Sequence, residues 1–258
     1  MLSKLKKEKL KYYLSFLATL TVKETKLRYK KTYLGFFWIV LAPLSQMIVV
    51  GFVFSFFIKI ENYFHFLFLS LITWNFFQAS LIRSTSSIVS ERLILHKSKF
   101  PIEAIPISTV FSNFIHLFVA MFLYFILLSV TNGLIFPQVF IVLPILIWLL
   151  FFTVGLSLLL SSLNVTLRDL SFAVQTGLTL WFYGTPVIYN LSLIPENFRF
   201  LFFINPLTFI FESLRWAVMG QGTLNTNMLL CNLFISILIS ALGVYVFIKK
   251  SPYFVDHL

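Results

Sequence analysis

Side chains able to do acid–base, nucleophilic or metal chemistry are scarce in this chain. Its 258 residues include nine carboxylates, one cysteine and four histidines, His65, His96, His116 and His257. No HExxH or other metal-ligand spacing links the histidines, so the sequence offers no metal site. No GxSxG elbow presents a serine, and no GxxxxGK(S/T) loop cradles a nucleotide phosphate. There are accordingly no catalytic residues to assign, and the chain cannot hydrolyse ATP alone. Cys231, in a late apolar run, excludes an intrachain disulfide and reads as a small buried packing residue. His116 has no carboxylate near it in sequence and reads as a hydrogen-bonded histidine before a proton relay. Three charged groupings remain: Glu91 to Pro101, Arg168-Asp169, and Glu212 with Arg215, which on a helix share a face and can pair.

The elements that must position these groups are membrane helices. Charged residues make up 11% of the chain and hydrophobic ones 59%, with a mean hydropathy of +0.93, whereas soluble domains are about a quarter charged. No charged side chain occurs between Glu103 and Arg168, a stretch about twice what one crossing helix needs. Thr131-Asn132-Gly133 and Pro137 divide it into two spans. The fold class is an all-α polytopic membrane protein, a single transmembrane domain over residues 1–258. Six spans are expected at about 33–58 (with Pro43 inside), 64–84, 105–130, 139–163, 170–189 and 228–248. Before the last of them the longest uncharged run, Phe200 to Phe211, has only 12 residues and contains Asn205-Pro206. That length suits a re-entrant hairpin at about 198–222 on the outer side. Residues 1–31 interleave lysines with Tyr12, Tyr13, Phe16, Leu17 and Leu20, the pattern of a helix lying in the membrane interface. They lack the small-residue site of a cleavable signal.

Charge placement sets the orientation. The net charge is +11, but the basic residues cluster beside apolar segments, which points to membrane topology and away from nucleic acid. With the N-terminus inside, sixteen lysines and arginines fall on the cytoplasmic side; Lys59, Arg199 and Arg215 fall outside. Arg83 stands at a helix end, positioned to snorkel to headgroups. Both termini are thus expected to be cytoplasmic. Ion-coupled carriers place carboxylates mid-membrane, and these spans have almost none, so pumping needs energy from another subunit. Glu91, Arg92, Leu93, His96, Lys97, Lys99, Phe100 and Pro101 join two spans directly, and a push on them moves both. Arg168 and Asp169, between the fourth and fifth spans, are placed to pair or to anchor helix ends.

Four blocks in order resemble the type-2 ABC transporter permeases, and more narrowly the Wzm-like subunits that export lipid-linked polysaccharides. The first is Arg28-Tyr29-Lys30-Lys31 with Leu34-Gly35-Phe36-Phe37-Trp38 and Pro43-Leu44. Lys99-Phe100-Pro101 with Ile105-Pro106 comes next, then Leu163-Asn164-Val165 with Arg168-Asp169. Asn205-Pro206-Leu207-Thr208 with Glu212, Arg215-Trp216 and Gly220 closes the series. Ala42-Pro43 departs from the pattern, because asparagine or glutamate often precedes that proline.

The resemblance implies a homodimer carrying two ATP-binding cassette subunits in the inner or plasma membrane of a bacterium. ATP and Mg²⁺ would be bound by the partner subunit, with no cofactor in this chain. Glu91 to Pro101 would be the coupling helix, residues 1–31 the interfacial helix beside it, and Asn205, Pro206, Glu212, Arg215 and Trp216 the outer re-entrant gate. The conduit would lie at the dimer interface. Phe36, Phe37, Trp38, Trp181, Phe182 and Tyr183 would offer sugar rings a stacking surface there. The passenger would be a polyprenyl-linked O-antigen, capsule or teichoic-acid glycan. An exporter of a small amphiphile or drug stays open beside it, as does a membrane-embedded glycan-modifying enzyme, which the sparse acids disfavour.

Overall fold

The computed structural model describes residues 2–30, 32–92, 100–131, 140–220 and 224–254; side chains 2–7, 29 and 36 stand outside that description. Every regular element described is helical. The helices are α1 (Leu2–Tyr29), α2 (Trp38–Ser55), α3 (Tyr63–Ser90), α4 (Ala104–Thr131), α5 (Val142–Thr166), α6 (Leu170–Tyr183), α7 (Glu196–Ile204), α8 (Pro206–Met219) and α9 (Thr226–Lys250). Five of them, α2, α3, α4, α5 and α9, are long and apolar enough to cross a bilayer, and α7 with α8 form a pair bent by 100°. The protein is an all-helical, multi-pass membrane protein.

Helix α3 is the hub. It is buried along most of its length and packs against α2, α4, α5, α6 and α8. The sequence suggests that this span ends near Ser84, but the helix runs on to Ser90. The hydroxyls of Thr85 and Ser90 bond back to the carbonyls of Leu81 and Ser86, and Ser87 to that of Ser84. A hydroxyl that bonds within its own helix lets a polar run stay helical in an apolar setting.

The closest helix pair is α5 with α9. Asn232, Ser236, Ser240 and Gly243 make a buried stripe along α9. A Cβ on Gly243 would stand 2.0 Å from the Gly155 carbonyl oxygen, and one on Gly155 2.3 Å from the Ser240 Cα. Small residues that let backbones touch are a common way to join helices in lipid. The Trp148 indole N–H donates to Ser236 Oγ at 2.9 Å and fixes the register. Cys231 corrects the sequence reading. It is exposed, because it lies one residue off the stripe and points away from α5.

The fifth crossing is the largest difference from the sequence reading. Residues 170–189 look like one uniform span, yet α6 stops at Tyr183 after 14 residues. Fourteen residues reach about 21 Å, short of the roughly 30 Å hydrocarbon core. Phe182 packs on Trp74 and Trp181 on Phe77, so α6 ends level with the middle of α3. From Gly184 to Asn190 the chain continues without helix past Tyr63, at the start of α3, and makes only a short 3-10 turn at Leu191–Leu193 before α7 begins. The break falls at Gly184-Thr185-Pro186, a glycine and proline signal that a reading by apolar length alone passes over.

Candidate functional site

Three polar assemblies stand out in the apolar body. The first joins α1 to the two helices that flank residues 91–101. Along α1 a stripe of Tyr13, Phe16, Leu17, Leu20, Thr21, Glu24 and Thr25 faces the body at helical spacing, while Leu10, Tyr12 and Leu14 face away. Lys23 Nζ lies 2.7 Å from Glu91 Oε1, and Arg83 Nη2 lies 3.2 Å from Glu24 Oε2. Thr25 Oγ1 and Ser112 Oγ share a hydrogen bond of 2.9 Å. Arg28 reaches α4, bonding His116 Nδ1 at 2.6 Å and donating to Asn113 Oδ1 at 2.5 Å. The Phe16 ring meets Phe100 at 5.3 Å. Tyr13 has its phenol pKa raised, by burial first and by Glu103 second.

Arg83 does not end its helix; it pairs with α1. His116 is a buried hydrogen-bonded histidine, as the sequence suggests, and its partner is an arginine 88 residues away. Of the segment expected to receive an external push, Glu91 caps the end of α3 and Arg92 follows it, and Phe100 and Pro101 lead into α4. Leu93, His96, Lys97 and Lys99 lie outside the described residues. Helix α1 therefore holds both arms of that segment, Glu91 by an ion pair and Phe100 by a ring contact. Arg168 and Asp169 form no ion pair among the described residues. Asp169 occupies the N-cap position of α6, where a carboxylate favours the helix dipole.

The second assembly holds the stretch that follows α6. Backbone that is not helical at membrane depth must have its carbonyls satisfied inside the protein. Arg215, on α8 and fully buried, does this. Its guanidinium donates to Glu212 Oε1 at 3.0 Å, to Ser70 Oγ at 3.0 Å, and to the carbonyls of Pro186 and Val187. It also sits 3.8 Å above the Phe66 ring. Tyr63 donates its hydroxyl to the Ile188 carbonyl at 2.9 Å. Asn205 serves the near end. Its Nδ2 donates to Thr185 Oγ1 at 2.9 Å and to the Gly184 carbonyl at 3.3 Å. Its Oδ1 accepts from the Trp181 indole and the Leu207 amide, both at 3.1 Å.

The local sequence explains why the hairpin folds as it does. Asn205 caps α8 and Pro206 takes the first helical position, where a missing N–H costs nothing. Gly220 ends the helix at φ 65°, a left-handed conformation that suits glycine. The Glu212–Arg215 pair expected from three-residue spacing is present at 3.0 Å. Trp216 is half-buried and accepts the Gly220 amide through its carbonyl. Asn232 of α9 donates to the Phe203 carbonyl at 2.7 Å and ties the hairpin to the last span.

The third assembly is a groove over α3, beneath α2. Two cavities of about 500 and 260 Å³ flank α2, one towards α4 and one towards α6. Both are lined by Gln46, Asn75 and Gln78. Trp38 lines the larger cavity; Phe182 and Tyr183 line the smaller. Phe37 is exposed in the short turn before α2, and the Phe36 side chain lies outside the described residues. Trp181 turns away, its ring edge-on to Phe77 and its N–H on Asn205.

Several residues here escape a reading based on charged groups and aromatics: Gln46, Asn75, Gln78, Ser70 and Asn205's partner Thr185. A usable signal existed for two of them. Asn75 and Gln78 are three apart in an otherwise apolar run, so they share a helix face.

Residues 16–219 match the family described as ABC-2 type transporter. Two proteins of Klebsiella pneumoniae, each named O-antigen export system permease protein RfbA, are 31% and 30% identical, across 98% of this chain and of each relative. A protein of the same name from Myxococcus xanthus is 35% identical over 78% of this chain and 79% of its own length.

Proposed function

This chain belongs to the ABC-2 type transporter family, and we propose that it is the membrane subunit of an exporter that moves a lipid-linked polysaccharide of O-antigen, capsule or teichoic-acid type. The observation that carries the substrate class is similarity along essentially the full length to permeases named for O-antigen export. In this reading two copies form the conduit in the inner or plasma membrane, with both termini in the cytoplasm. Separate ATP-binding cassette subunits bind ATP and Mg²⁺ and dock on residues 91–101.

The first assembly supports the docking site. A force on residues 91–101 reaches α3 and α4 through the chain itself, and it reaches α1 through Lys23–Glu91 and Phe16–Phe100. Three elements then move as one lever. The second assembly supports a hairpin that shuts the outer end, held by Arg215 and Asn205 rather than by loose loop contacts. The exposed faces of α2 and α6 beside the groove are the surfaces a second copy would cover.

Coexpression with the cognate ATP-binding subunit tests this directly. Replacing residues 91–101 with a glycine–serine segment of equal length is expected to abolish ATP-driven glycan movement while the permease keeps its assembly state. Transport at the full rate would contradict the coupling assignment.

A further inference from the structure

The groove under α2 has a chemistry that the surrounding spans do not share. Asn75 Nδ2 donates to Gln46 Oε1 at 3.0 Å, and the Trp74 indole donates to Gln78 Oε1 at 2.9 Å. These bonds leave Asn75 Oδ1 and the two glutamine NH₂ groups with no hydrogen bond among the described residues, yet all three side chains line open cavities. A carboxamide carries two donors and two acceptor lone pairs, and leaving them unmet at bilayer depth is costly. The groups are therefore placed for a hydroxylated guest or for water.

Other features narrow the guest. The cavity towards α6, about 260 Å³, is lined without a charged side chain. Its remaining walls include Phe182, Tyr183 and Thr179, whose hydroxyl donates to the Gln175 carbonyl. Aromatic faces, neutral donors and neutral acceptors together match a neutral sugar, whose ring stacks while its hydroxyls exchange bonds with amides. Charged phosphate or carboxylate would meet no cation here. The Gln46–Asn75 bond is the one side-chain hydrogen bond joining α2 to α3 among the described residues, and α2 buries only Pro43 and Gly51. A guest hydroxyl can replace that bond with one of equal kind, so occupancy and the seating of α2 are linked.

We propose that Gln46, Asn75 and Gln78 form a neutral-sugar subsite between α2, α3 and α6, and that sugar binding exchanges with the Gln46–Asn75 bond that seats α2. This rests on the polysaccharide-export reading above. It assigns hydroxyl recognition to the amides, with Phe182 and Tyr183 as the stacking surface.

The test uses the full chain with its ATP-binding subunit in cells lacking the native copy. p-Benzoylphenylalanine is placed at Tyr183 in the cavity and, as a control, at the exposed Phe234 on the far face of α9. After irradiation the host's own lipid-linked glycan is detected by carbohydrate staining of the shifted band. A glycan adduct at 183 and none at 234 is the expected result. Gln78→Leu and Asn75→Leu should each weaken it about three- to tenfold, the effect of one net hydrogen bond. Asn75→Gln, which keeps an amide, should restore most of it, and membrane levels of each variant control for folding. No glycan adduct at 183 while surface glycan is normal would overturn the subsite and leave the export reading standing. A phospholipid adduct at 183 would overturn the sugar assignment in the same way. Normal surface glycan in cells without any copy would overturn the export reading, and the proposal with it.

Discussion

The two ends of this permease hold their helices with polar contacts of opposite character. At the lysine-rich end, α1 is fastened by several separate pairs, Lys23–Glu91, Glu24–Arg83, Thr25–Ser112 and Arg28–Asn113, most of them partly exposed. At the hairpin end, two side chains do nearly everything: Arg215 and Asn205 each meet several partners, and Arg215 is fully buried. Solvent screens the two ion pairs, Lys23–Glu91 and Glu24–Arg83, and makes each worth about 1 kcal/mol or less. Inside the body nothing replaces a lost donor, so removing one strands its acceptors. Distributed contacts suit the lever proposed for α1. Concentrated ones suit a piece that must keep its shape.

Substitutions can break this contrast, beginning where the effect should be greatest. Arg215→Met strands Glu212 and the Pro186 and Val187 carbonyls, and should cost about 3–5 kcal/mol. It would be seen as a large fall in Tm in detergent and loss of protein from the membrane. Arg215→Lys should rescue little, because a single ammonium cannot reach the same fork of partners. Next in size is Gly243→Leu, which drives a side chain into the Gly155 backbone and should cost about 3 kcal/mol or more. Asn205→Ala removes the cap of α8 and the bonds to Thr185 and Trp181, an expected loss of about 2 kcal/mol. Smallest is Lys23→Ala, expected to cost under about 1 kcal/mol of stability, with a double-mutant cycle against Glu91→Ala giving a similar coupling energy that shrinks in high salt. If Lys23→Ala proved as damaging as Arg215→Met, the contrast between the two ends would be wrong.

What the sequence disclosed follows the same division. Uncharged runs marked α2, α3, α4, α5 and α9 because burial in lipid excludes charge along a whole span. The Glu212–Arg215 pair was legible because its spacing is local. Its other partners, Ser70, Pro186 and Val187, lie 28 to 145 residues away and left no mark in the sequence. The break after Tyr183 was marked by Gly184-Thr185-Pro186, but the apolar length of the run outweighed that local signal in the reading of a full span. Aromatic content suggested stacking surfaces, but it could not tell Trp181, turned into the body, from Tyr183, open to the groove. Neighbours in the chain were readable; neighbours in space were not.

The most direct test of the account is the sidedness of the cell's lipid-linked glycans after this protein is depleted. The account predicts full-length polymer accumulating on its lipid carrier at the cytoplasmic face, with matching loss from the surface. Normal surface glycan with no internal accumulation would contradict it and favour export of a small amphiphile.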